Sequence, residues 1–134
     1  MVNLLGAADI RELATRLDVT PTKKLGQNFV TDPNTIRRIV SAAKLGEAES
    51  VVEIGPGLGS LTLGLLEVAA SVVSVEIDTK MAAALEQTIA ERAPGKAFTL
   101  VTADALAIDS LPQSPTALVA NLPYNISVPV LLHF

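Results

Sequence analysis

The chain has 134 residues, 49% of them hydrophobic and 3% aromatic, which suits one compact domain with a single aliphatic core. It has no cysteine and one histidine, His133, which excludes disulfides and thiolate chemistry and argues against a histidine metal site or a Ser-His-Asp triad. The net charge of −4 is unevenly spread: residues 1–44 carry seven basic and four acidic side chains, the remainder three basic and ten acidic. The front is therefore basic and the rest acidic. A basic edge suits phosphate, and scattered solvated charge explains the same numbers. No apolar run approaches the ~20 residues that span a bilayer. The first residues contain acids and no cleavage pattern, so a cytoplasmic protein without membrane or metal is expected.

In chain order, apolar Ile10, Leu13, Ala14 and Leu17 recur at helical spacing and predict a helix over 7–17. Residues 19–24 read as a polar linker. Asp32-Pro33 is a helix start, with Asp as N-cap and Pro in the first turn, and that helix runs towards Leu45-Gly46. A strand over 50–54 stops at glycine, and a helix follows over 61–70. A second strand covers 71–77, and Asp78 caps a helix over 79–92. Strands three and four are expected at 97–101 and 116–120. Ser127 is placed as the cap of a last helix with Pro129 in its first turn. Alternating strands and helices imply right-handed crossovers and a parallel α/β sheet covered on both faces. Ligands of such sheets sit at the carboxyl ends of the strands.

Four features fall at those ends. Glu53-Ile54-Gly55-Pro56-Gly57-Leu58-Gly59 is a glycine-rich turn into a helix, where bare backbone permits close ligand approach. Its spacing is G-x-G-x-G, unlike the dinucleotide fingerprint, and no P-loop lysine follows. Taken alone it is equally a tight strand–helix turn. Glu76 ends strand two about 20 residues later, where an acid binds ribose hydroxyls; the alternative is a solvated strand-end charge. For Asp78 the capping role is preferred. Asp104, in Ala103-Asp104-Ala105 after strand three, can accept from an adenine amino group. Asn121-Leu122-Pro123-Tyr124 follows strand four. An Asn carbonyl and a proline-fixed backbone carbonyl can each accept one N–H of an aromatic amine, while Tyr124 stacks on the base. The amine lone pair then stays available for in-line attack on a sulfonium methyl group, with the base out of its stack and no strong general base required.

Together with Lys24-Leu25-Gly26-Gln27-Asn28-Phe29, the EIGPGLG loop, VEID at 75–78, ADAL at 103–106 and NLPYN at 121–125 resemble the rRNA adenine N6,N6-dimethyltransferases from about residue 20 onward. The likeness is nearest to the small-subunit enzymes that dimethylate two adjacent adenosines near the 3′ end of 16S rRNA. The resemblance implies a Rossmann-like fold and S-adenosylmethionine as cofactor. It implies contacts from Gln27 and Asn28, with Glu53, Gly55, Gly57 and their loop at the methionine part. Glu76 would serve the ribose, and Asp104 with Ala105 or Leu106 the adenine. Asn121 and Leu122, set by Pro123, would hold the target amine, and Tyr124 would stack on the target base. Without the resemblance, Gln27-Asn28 would pass as a polar linker.

Family members are longer. The expected organisation is a helical front over 1–46 and the first part of the methyltransferase domain over 47–134, cut after the fourth parallel strand. The later strands and a C-terminal helical domain would be absent. Such a piece is expected to be weakly active or inactive although its parent is an enzyme, and to self-associate along the bare edge of strand four. The expected partner of the parent is 16S rRNA in an immature small subunit. Alternatives are a 23S rRNA adenine N6-methyltransferase conferring macrolide resistance, or a non-catalytic rRNA-binding or transcription factor of the same fold. A Rossmann oxidoreductase is disfavoured by the glycine spacing and by NLPY.

Overall fold

A computed structural model of the chain describes residues 2–17, 33–42, 44–103, 117–121 and 129–133, with Ala120, Asn121 and 129–133 described by their backbone. The elements are α1 (Ala7–Arg16), α2 (Pro33–Ala42), β1 (Ser50–Ile54), α3 (Ser60–Val68), β2 (Ser71–Glu76), α4 (Thr79–Arg92), β3 (Phe98–Thr102), β4 (Ala117–Asn121) and β5 (Pro129–His133). They build one five-stranded sheet of order β3-β2-β1-β4-β5. The first four strands pair in parallel, and β5 runs antiparallel to β4. The expected α/β sheet is therefore present. Among the described residues no helix is long and apolar enough to cross a membrane.

The chain builds outward from β1 in both directions. The crossover through α3 places β2 beside β1, and the crossover through α4 places β3 beside β2. The next strand, β4, pairs with the opposite edge of β1, so the strand order reverses between β1 and β4. That reversal is the position where open parallel sheets form their ligand crevice.

Core burial explains the composition of these elements. Every residue of β2 is buried, as a strand flanked by neighbours and covered by helices requires. Ser60 to Leu66 of α3 are all buried, with Leu63 and Leu65 fully so, which marks a helix apolar all round. α2 packs on α3 at Gly64, where an added Cβ would collide with Ile36 Cγ2. The capping prediction for Asp78 is met: its Oδ1 accepts from the backbone N–H of Lys80 at 2.9 Å and of Met81 at 3.0 Å. The first residues are tied to the far end of α4. Asn3 N–H donates to the Arg92 carbonyl at 2.9 Å, and Arg92 forms a 3.0 Å ion pair with Asp9 of α1.

One prediction fails. The helix expected from Ser127 is replaced over Pro129–His133 by β5. An apolar run this short carries no period that separates helix from strand. The unpaired N–H and C=O row of β4 supplies a partner that a short isolated helix lacks. Pro129, which cannot donate, is tolerated as the first residue of an edge strand. The edge of β4 expected to be bare is thus paired along its length, from Ala117↔His133 to Asn121↔Pro129, which removes the stated basis for self-association there. Ser127 itself and the linker over 19–24 lie outside the described residues.

Candidate functional site

Strand register sets the site. Ile54 is level with Val75 of β2 and Ala120 of β4, and Val75 with Val101 of β3. One step further along, Thr102, Glu76, Gly55 and Asn121 reach the carboxyl ends of the four parallel strands together. Gly55 N–H still donates to the Val75 carbonyl at 3.0 Å, and Ala103 N–H donates to the Glu76 carbonyl at 3.0 Å. The positions singled out in the sequence at 55, 76 and 121 therefore share one edge, two of them at the reversal in strand order.

The glycine loop leaves β1 through Gly55 (φ 69°), Gly57 (φ 60°) and Gly59 (φ 101°), all left-handed, which explains why glycine recurs at this spacing. Gly59 is the N-cap of α3, and no side chain caps that end. The N–H groups of the first helical turn have no intrahelical carbonyl to meet, so they are available to a ligand at the sheet edge. Two buried side-chain atoms among the described residues have no hydrogen-bond partner: Glu53 Oε2 and Ser60 Oγ. They stand immediately before and after the loop. Unpaired buried polar atoms cost on the order of 1–3 kcal/mol each, so two of them flanking one loop fit a polar ligand seated there.

Glu53 is 0% exposed. Its Oε1 accepts from Thr62 Oγ1 on α3 and from Ser74 Oγ on β2, the latter at 2.8 Å. Burial pushes its carboxyl up to about 7; the two hydroxyl donations oppose the rise and the negative charge of Glu76 adds to it. Glu53 thus lies behind the loop. Glu76 is 7% exposed, which rules out a solvated strand-end charge, and its Oε2 accepts from Asp78 N–H at 3.0 Å. That bond orients the acid at the edge while Asp78 caps α4.

Three residues of the site were not picked out in the sequence. Ile77 is 65% exposed, the sole large hydrophobic so exposed among the described residues, and it stands between Glu76 and the α4 cap. Thr62 and Ser74 are the others. Their signal was faint: two hydroxyls among apolar neighbours on a helix and a strand. Of the remaining predicted positions, Asn121 is placed by its backbone at the end of β4. Gln27, Asn28, Asp104, Ala105, Leu106, Leu122, Pro123 and Tyr124 lie outside the described residues.

Comparison with known proteins gives concordant results. The profile of the family described as Ribosomal RNA adenine dimethylase matches residues 20–134. The chain is 65% identical over 134 residues to a Ribosomal RNA small subunit methyltransferase A of Corynebacterium efficiens, covering 97% of this chain and 46% of the relative. A protein of the same name from Nocardia farcinica is 62% identical with the same coverage. The chain therefore spans about half the length of the curated relatives it matches. Among solved structures, the 23S rRNA methyltransferase ErmE superposes with a TM-score of 0.61 at 34% identity, covering 72% of this chain and 38% of that one. A dimethyladenosine transferase from Plasmodium falciparum gives 0.58 at 31% identity, covering 72% and 34%. The tRNA (m1A58) methyltransferase TrmI from Aquifex aeolicus, at 19% identity and a TM-score of 0.63 over 78% of this chain and 45% of that one, shares the fold.

Proposed function

The chain belongs to the ribosomal RNA adenine dimethylases, and on that premise we propose that its protein uses S-adenosylmethionine to dimethylate N6 of two adjacent adenosines near the 3′ end of 16S rRNA in an immature small subunit. The observation that supports this best is the level row Thr102–Glu76–Gly55–Asn121. It puts a glycine loop, a buried acid and an Asn at adjoining strand ends of a methyltransferase fold.

The residues present fit the cofactor. Bare backbone at Gly55 and Gly57 admits the methionine part, and the orphaned Glu53 Oε2 and Ser60 Oγ offer polar partners beside it. Glu76 accepts from the ribose hydroxyls, and the exposed face of Ile77 gives the adenine an apolar surface. Asp104 and Ala105 recognise the adenine edge. Gln27 and Asn28, in the front segment over 1–46 that precedes a methyltransferase domain beginning near residue 47, contact the cofactor. When bound, the cofactor supplies an electrophilic sulfonium methyl group. The chain's part is positioning. Asn121 and the Leu122 carbonyl, set by Pro123, accept the two N–H groups of the target amine and hold its lone pair in line, while Tyr124 stacks on the base. Each methylation releases one proton from the amine to solvent, and no strong base is needed.

The test is methyl transfer by the protein that carries these residues, offered unmodified small-subunit particles and, separately, 23S rRNA. Mass spectrometry of the digested RNA should find dimethyladenosine at two adjacent positions of the small-subunit RNA, and an Asn121→Ala variant should lose it. Modification of 23S rRNA instead would favour the second reading, a large-subunit methyltransferase, to which the 34% identity with ErmE lends some support. The relatives at 62–65% identity carry small-subunit names and favour the first.

A further inference from the structure

Glu53 poses a problem that the cofactor site alone does not solve. A fully buried carboxyl with one oxygen doubly hydrogen-bonded and the other without a partner is costly in either charge state. Ionised, it has no cation beside it among the described residues. Among the described residues the charged group acting on it is another acid, Glu76 on β2. Its register partner on β4 is Val119, which is apolar. On α3, Thr62 faces it, while Glu67 of that helix forms a 3.4 Å ion pair with Arg37 of α2 on the exposed side. Protonated, Glu53 would carry a hydrogen on the oxygen that finds no acceptor among the described residues.

We infer that Thr62 and Ser74 are positioning residues that hold Glu53 as a proton-exchanging carboxyl, so that a cationic cofactor entering beside the glycine loop drives it to the carboxylate and one proton leaves for solvent. This rests on the reading that S-adenosylmethionine binds at that loop. Both hydroxyls donate to Oε1, which a carboxylate accepts better than a neutral acid does. The arriving positive charge supplies a counter-charge that none of the described residues supplies. The balance is simple: a neutral acid and a cationic ligand become an ion pair plus a proton. The demethylated product has lost the sulfonium charge, so it has less hold on the carboxylate. The network thereby favours cofactor over product.

The experiment is calorimetric titration of the chain with S-adenosylmethionine between pH 6 and 9, in buffers of differing ionisation enthalpy. With Glu53 titrating near 7, affinity should rise about tenfold from pH 6 to pH 8 and then level off, with roughly half a proton released per cofactor at pH 7. Glu53→Gln should show neither effect, which separates Glu53 from the ligand's own amino group. Thr62→Val removes a donation that favours the charged form. It should weaken binding at pH 7, recover towards pH 9, and be restored by Thr62→Ser. Ser74→Ala should behave likewise and serves if Thr62→Val does not fold. A structural role alone would weaken binding equally at every pH, and that result would overturn the inference. So would wild-type affinity that follows Glu53→Gln across the range, although the cofactor site would stand. No binding by either protein at any pH would overturn the cofactor site and the inference with it.

Discussion

Replacing Glu53 by glutamine should change how stability depends on pH. The carboxyl titrates near 7 when folded against an ordinary value of 4.5, because burial penalises its charge. A raised folded value means that the native state holds its proton more tightly than the unfolded chain does. The associated stabilisation is fully present below about 4.5 and is lost as pH rises through about 7. The whole difference amounts to about 3 kcal/mol, of which about 2 kcal/mol falls between pH 5.5 and pH 8. The substituted amide cannot titrate. Its carbonyl can still accept from Thr62 and Ser74, while its NH₂ is left unpaired, a fixed cost of about 1–3 kcal/mol. Urea unfolding of both proteins at the two pH values isolates the effect, because other groups cancel in the difference. Relative to wild type, the Glu53→Gln variant should gain about 2 kcal/mol of stability between pH 5.5 and pH 8. A gap that stays constant would mean that Glu53 titrates in the ordinary carboxylate range and that burial does not govern its charge.

Other outcomes follow from the packing and the caps. Gly64→Ala gains helix propensity of about 1 kcal/mol but drives a methyl against Ile36, so we expect net destabilisation of about 1–2 kcal/mol, read as a lower Tm by thermal melting. Asp78→Ala removes the N-cap of α4 and should cost about 1 kcal/mol in urea unfolding. Ile77→Ser should leave Tm nearly unchanged, since the side chain is 65% exposed, while weakening cofactor binding several-fold in calorimetry. Unchanged affinity there would remove Ile77 from the site.

The parallel core was legible because its strands are short β-branched runs between glycine and helix caps. Val51-Val52 and Val72-Val73 suit few places other than a buried strand, and Asp78 declares the start of α4. The site was legible as positions. Parallel pairing in register turns three separate strand ends into one row, so a carboxylate at 76 and glycines from 55 to 59 meet without any long-range signal in the sequence. Three things were not legible. The identity of β5 depends on pairing with β4, a non-local event that an apolar run does not encode. The burial of Glu53 depends on Thr62 and Ser74, which lie 9 and 21 positions away and look like ordinary polar interruptions. Ile77 looked like the last residue of a strand interior, whereas β2 ends at Glu76 and leaves it facing out.

Backbone amide NMR of the chain during titration with S-adenosylmethionine asks whether the carboxyl edge of this sheet holds the cofactor. The resonances of Gly55, Gly57, Ser60, Glu76 and Ile77 should move together, with one dissociation constant, while those of the α1–α4 junction around Asp9 and Arg92 stay in place. Shifts centred on that junction, or a spectrum indifferent to the cofactor, would contradict a cofactor site at the strand ends.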